Sequence, residues 1–341
     1  MTQLSLIIEN LMRTHLLAAA CLLGLTSTAF ADNASSIDQV GTAHTARVGQ
    51  QGQGQNAAII NQSGLSHQAN IEQLAFSGNL QADIRQSGEA NSASVLQEEA
   101  MQSANIGQAG RGNGAEVVQF GQGAGSSILQ TGDGNSARSV QAPQATLGGS
   151  AGSTIYQDGT ENEADVQQSA VFGLAISEIV QLGHQNRALV NQDATFSSKT
   201  VILEQAGTAN FADVTQSGGY IRNSAAVNQS GEANEVRLLQ SGLDQNNFAT
   251  VTQTGSGNKA EADQEGAFTV NRVIISQNGS DNSTVVSQDG IFANEIFGEI
   301  EQTGSMNIVN LQQASQDSNL AFSIKQNGNG LVANVAQSAG P

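Results

Sequence analysis

Polar and apolar residues alternate along most of this chain, and they do so within a fixed phrase. In "QAGTANFADVTQ" (205–216), Asn210, Ala212, Val214 and Gln216 occupy every second position, with variable residues between them. A period of two is a strand signature. It places Asn, Ala, Val and Gln on one face and the variable, often charged residues on the other. A helix would scatter the same residues around its circumference. The phrase opens thirteen times, at Gln39, Gln62, Gln86, Gln108, Gln130, Gln157, Gln181, Gln205, Gln229, Gln253, Gln277, Gln302 and Gln326. Every copy keeps Gly two residues after the opening Gln and a second Gln eleven after it. Five after it stands Asn in ten copies, His44 and His67 in two, and Leu331 in the last.

The residues between copies repeat the pattern, as in "NSAAVNQ" before the Ser-Gly of 230–231 and "NFATVTQ" ending at Gln253. Each period therefore holds two similar half-units, and seven of the twelve spacings between openings are 24 residues. Two short strands with a turn at each end make one rung. A lone pair of strands cannot bury its apolar face stably, whereas rungs stacked parallel and in register pair every strand with its equivalents. The spacing thus predicts an all-β fold, a β-solenoid of stacked two-strand rungs of about 24 residues. Thirteen rungs at about 4.8 Å each would extend roughly 60 Å.

Stacking also explains why the amides are constant. Inward Gln and Asn residues repeat at the rung spacing and can hydrogen-bond to copies of themselves in ladders, and buried amides stabilise only when satisfied. The ladder positions include Gln86, Asn91 and Gln97, Gln108, Asn113 and Gln119, Gln205, Asn210 and Gln216, and Gln253, Asn258 and Gln264. Gly88, Gly110, Gly132, Gly159, Gly183, Gly207, Gly231, Gly255 and Gly279 are the turn glycines, where a backbone without Cβ is expected. The outward column eight residues after each opening alternates in sign at Glu116, Arg138 and Asp165 and again at Arg237 and Glu261, which reads either as opposite charges on adjacent strands helping to set the register or as a row of solvated residues. Pro143, in the longest interval, is expected in a looped-out insertion because proline cannot donate to a ladder.

Composition narrows the function classes. With 38 Gly, 11 Phe, 2 Tyr, 2 Pro and no Trp, few large side chains exist for an ordinary globular core. The formal net charge of −18 disfavours nucleic acid, since no basic stripe neutralises phosphates, and favours solubility. Residues 1–31 read as a signal peptide, with Ala29-Phe30-Ala31 as the cleavage pattern and Met12 as an alternative start. The one cysteine, Cys21, falls inside it, and no other run is long enough to span a bilayer. The expected order is then a short segment 32–38, the repeats over 39–337 and a tail 338–341.

The motif Q-x-G-x-x-N-x-A-x-x-x-Q resembles the curlin repeat of bacterial curli fibres over residues 39–337. The resemblance implies a left-handed solenoid, export through the periplasm and a dedicated outer-membrane pore, and assembly into extracellular amyloid for biofilm and adhesion. The implied partners are further copies of the chain and a nucleator or major curlin. Where familiar major subunits place Ser, six residues before the opening Gln, this chain has Ala151, Ala175, Asn223, Asn247 or Asn271. Major subunit and nucleator therefore both stay open.

No spacing of Ser, His and Asp, paired histidines on a helix, or phosphate loop points to catalysis, and no cofactor is expected. His44 and His67 should stack, since they share a column. They read first as hydrogen-bonding substitutes for Asn, and second as a metal-binding pair. The competing functional reading is a monomeric β-solenoid adhesin or binding module; a polysaccharide-active β-helix enzyme would need longer loops than these.

Overall fold

The computed structural model describes residues 33–339 apart from 53, 145–148, 221, 245 and 294, so the signal segment read over 1–31 lies outside the described residues. Its regular structure is entirely β, in one continuous parallel sheet system. We number the rungs 1 to 13 by their opening Gln, from Gln39 to Gln326. Rung 7 is representative, with a first strand Leu174–His184 and a second strand Arg187–Thr195. First strands pair only with first strands and second with second. Gln181 aligns with Gln205, and Gln192 with Gln216. The same register holds from the Gln39–Gln62 alignment to the Gln313–Gln337 alignment. An irregularity between Leu74 and Gly78 interrupts it between rungs 2 and 3.

The alternation dictates this arrangement. Ile179, Leu203, Val227 and Val251, two before the opening Gln, and Val190, Val214 and Leu238, nine after it, are 0–2% exposed. They join one hydrophobic cluster that runs through the stack. Each such side chain contributes about 1.5–3 kcal/mol by leaving water. The narrow core admits only modest side chains, which is why Ala, Val and Ile suffice without Trp.

Backbone pairing does not lapse at the turns. Four residues after the opening Gln the chain turns through a left-handed residue, such as Ala209 (φ 55°) or Ala233 (φ 53°). Ala233 N–H donates to Thr208 O, and Phe211 N–H to Asn234 O, so each arc is bonded to the arc of the next rung. A second arc, fifteen residues after the opening Gln, turns likewise at Phe196 (φ 49°) and Tyr220 (φ 56°).

One expectation is corrected. Pro143 is not looped out; it is buried within the strand Ser136–Gln144, aligned with Ala170. Gln141 O accepts from Phe120 N–H, and alternate residues of a parallel strand face the same neighbour, so Pro143 also faces that side. The neighbouring strand there, Gly114–Gln119, has already ended. The missing donor therefore costs no ladder bond. In the charged column, Arg138 lies 2.9 Å from Glu116 and 3.7 Å from Asp165 as the alternation suggests. Arg237, however, pairs at 2.8 Å with Glu235 of its own strand, not with Glu261. Two positions along one strand lie on the same face, and Arg237 also leans over the Phe211 ring, 5.8 Å from its centroid. These pairs are exposed and contribute little stability.

Candidate functional site in the amide ladders

Two columns of Gln amides run the length of the stack, and a third, of Asn, runs from Asn91 to Asn307. In the first, from Gln39 to Gln326, each Gln Nε2 donates to the Oε1 of the next rung at 2.6–2.9 Å. In the second, from Gln50 to Gln337, the same bond spans 2.7–3.1 Å. The donor always belongs to the rung nearer the N-terminus. The second Nε2 hydrogen crosses the core to the opposite strand: Gln205 donates to Arg187 O at 3.0 Å and Gln216 to Thr200 O at 3.1 Å. Gln86, Gln97, Gln108 and Gln119 make the equivalent bonds to Gln68, Gln81, Ser92 and Ser103 carbonyls. Gln253 and Gln264 do so to Glu235 and Phe248. Both donor hydrogens of these buried amides are thereby satisfied, the condition under which a polar core stabilises.

The Asn column turns the first arc. Asn91 Oδ1 accepts from Asn113 N–H at 2.9 Å, while Asn91 Nδ2 donates to Ser87 O and to Gly110 O of the next rung. Asn210 and Asn258 repeat this with Gly231 O and Gly279 O. Their Nδ2 groups also donate backwards, to Asn186 Oδ1 and Asn234 Oδ1, so the side-chain bonds of this column run against those of the Gln columns. The nine glycines named above lie at φ 102–127° where the first strand enters this arc. An added Cβ on Gly88 would stand 2.1 Å from Gly110 O, the carbonyl that Asn91 holds. Glycine is thus required by the close approach of rungs as well as by its φ.

His44 and His67 take the Asn role atom for atom. His44 Nδ1 accepts from His67 N–H and His67 Nδ1 from Asn91 N–H, where an Asn would use Oδ1. Each Nε2 faces the carbonyl four residues earlier, at 3.1 Å for Val40 and 2.9 Å for Ser63. The rings stack at 5.1 Å, 3° from parallel. Among the described residues no three His, Cys, Asp or Glu side chains cluster as a metal site. The accepting Nδ1 of His67 requires that ring to be neutral. Burial lowers the His67 pKa below 6.5, and His44 adds to this against the Ser63 carbonyl. Because the proton is favoured in the unfolded chain, stability is full above pH 6.5 and falls as pH drops through that value. The protection factor of the Asn91 amide, its exchange corrected for the intrinsic rate at each pH, should therefore fall between pH 7 and 5, and His67→Asn should remove most of that dependence. An equal fall in the variant would contradict the assignment.

Sequence reasoning missed Lys199. It is fully buried in the first strand of rung 8, aligned with Ala175 on one side and Asn223 on the other. Its Nζ donates to the Ser217 and Gly218 carbonyls at 3.2 Å. Desolvation pulls its pKa down from 10.5 to about 8, against the attraction of Asp193. A lone Lys among 24-residue repeats carries no pattern, so only its column partners Asn223, Asn247 and Asn271 hint that an amide would fit there. The sign is set by a base with a lowered folded pKa: stability rises between pH 8 and 10.5 as the folded chain sheds its proton first. The unfolding free energy from denaturant titration should climb across that window by on the order of 2 kcal/mol, and Lys199→Asn should flatten the rise. An unfolding free energy unchanged across it in the parent chain would refute this.

No curated protein matches the chain. A family model, the curlin associated repeat, matches residues 245–267, which include both strands of rung 10. Curlin repeats are structural rather than catalytic units. The matched rung shares its register, its Gln pair and its arc Asn with the rungs on either side. The chain is a parallel β-solenoid of about 24 residues to the rung, and the stretch of it over residues 245–267 matches the curlin associated repeat.

Proposed function

We propose that this chain is a secreted, non-catalytic structural subunit that self-assembles end to end into extracellular curli-like amyloid fibres serving biofilm matrix and surface adhesion. One observation carries the reading: both Gln columns bond in a single sense in a constant register, so every rung presents the bonding pattern that the next rung needs. A further copy whose first rung adopted that register would extend the ladders without new chemistry. Outward charges keep the soluble chains apart before assembly. The reading includes export through the periplasm and an outer-membrane pore, and a nucleator or major curlin as partner.

The test is dilution of residues 32–341 from denaturant, followed by thioflavin T with and without preformed seeds and fibre diffraction of the product. A lag abolished by seed and a meridional reflection near 4.7–4.8 Å are expected. A β-rich monomer that stays inert at high concentration, with or without seed, would overturn the reading and favour an adhesin.

A further inference from the structure

The second arc carries a feature that neither the core nor the ladders require. Its left-handed residue is aromatic on five rungs: Phe172 (φ 51°), Phe196 (49°), Tyr220 (56°), Phe268 (56°) and Phe292 (56°). A bulky side chain in this region is an outlier, and a left-handed conformation costs a residue with Cβ about 1–2 kcal/mol. The equivalent residue of the first arc is small or polar in most rungs, including Ala209, Ala233 and Gly257, so the turn itself does not ask for a ring. Nor is the ring placed for burial, since these five side chains are 42–64% exposed. They form two stacks along the solenoid. Phe172, Phe196 and Tyr220 follow one another at 4.8 and 5.0 Å, and Phe268 and Phe292 at 5.1 Å. Asp244 holds the same left-handed position on the rung between the stacks. A shallow groove follows the first stack, lined also by Leu174, Ser198, Arg222 and Asp244.

We infer that this strip is a lateral docking surface for a second copy of the same solenoid, side by side with the first. Pitch selects the partner. Rings that recur at the rung spacing match another surface over several rungs only if that surface has the same rise, which a second copy has by construction. Charge points the same way. Chains of net charge −18 repel one another over most of their surface. The charges lining this groove, in contrast, are one of each sign, Arg222 and Asp244. In a two-fold antiparallel arrangement Arg222 of each copy faces Asp244 of the other while the ring stacks pack together, a self-complementary contact. Lateral pairing is distinct from end-to-end growth, which uses the rung edges.

The strain makes the test clean. Asn tolerates the left-handed region, so Phe172→Asn, Phe196→Asn and Tyr220→Asn together should leave the fold at least as stable. Mass per length of assembled filaments, by scanning transmission electron microscopy, should correspond to two solenoids in the parent chain and one in the triple variant. If no filaments form, sedimentation equilibrium of the soluble chain replaces it, with a dimer expected for the parent and a monomer for the variant. Met306→Asn, at the left-handed position of the first arc, should change neither. Arg222→Asp should separate the pair, and adding Asp244→Arg should restore it. Parent filaments of single width, or a triple variant as wide as the parent, would overturn the proposal. Seeding kinetics in the same samples report the end-to-end reading separately, because the ring variants leave the rung edges untouched.

Discussion

Gly207→Ala is expected to lower stability by several kcal/mol and to split the solenoid at rungs 8 and 9. Gly207 sits at φ +116°, and a Cβ there would stand 2.0 Å from Gly231 O. That atom is backbone, paired by register and bonded at 3.1 Å to Asn210 Nδ2, so it cannot step aside without parting the rungs. Three costs combine: about 1–2 kcal/mol for the left-handed conformation, about 1–3 for overpacking, and about 1 for the weakened bond. The informative comparison is Gly112→Ala, at the turn residue of rung 4. There φ is +65° and nothing lies within 4 Å of an added Cβ. Other rungs already carry Ala at this place, at Ala90, Ala209 and Ala233, so about 1 kcal/mol is expected. Guanidinium unfolding of both variants, followed by far-UV circular dichroism, measures the difference. A second transition is expected for Gly207→Ala, because rungs couple only to their neighbours. Equal losses in the two variants would show that the close approach of rungs is not what selects glycine.

Cutting one Gln column in the middle should cost nearly as much, through polar groups rather than sterics. Gln205→Leu preserves bulk but removes the acceptor of Gln181 Nε2, 2.9 Å away, and the donor to Gln229 Oε1, 2.8 Å away. It also removes the donor to Arg187 O. Gln181, Gln205 and Gln229 are at most 1% exposed, so water cannot replace what is lost. At about 1–3 kcal/mol for each buried group left unpaired, a loss of roughly 3–5 kcal/mol is expected. Ala206→Leu is the control, adding the same side chain one residue on, where rung 7 has the exposed Leu182. It should stay within about 0.5 kcal/mol of the parent. If Gln205→Leu proved as mild as its control, the ladders would be a by-product of register and not a source of stability.

How far the fold could be read before its structure follows from where each constraint acts. The strands, their faces and the rung length were legible, because burial acts on side-chain identity at alternate positions: Val214 and Gln216 face in, Asp213 and Thr215 face out. The ladders were legible because an amide that must meet its own copy cannot vary. The turning residues were not. Ala43, Ser66, Gly134, Glu161, Gln185 and Met306 all adopt the same left-handed conformation in the first arc. Their backbone is held by bonds to adjacent rungs, so the constraint leaves no imprint on residue type. Pro143 was misplaced for a related reason. Proline's exclusion from a ladder depends on whether a neighbour is present on its N–H side, and a sequence alone does not display where that neighbour ends.

The single sense of the Gln columns has a consequence for polymer geometry. Two such stacks meeting nose to nose would set carbonyl oxygen against carbonyl oxygen in both columns at once, in a space without water to intervene. Two meeting tail to tail would oppose hydrogen to hydrogen. Only nose to tail closes the bonds of both Gln columns, so in those columns a filament grown from these rungs has one direction that an inverted subunit would break. Its two tips are then chemically unlike, one rich in open acceptors and the other in open donors. A molecule that blocks one tip would leave the other free to grow.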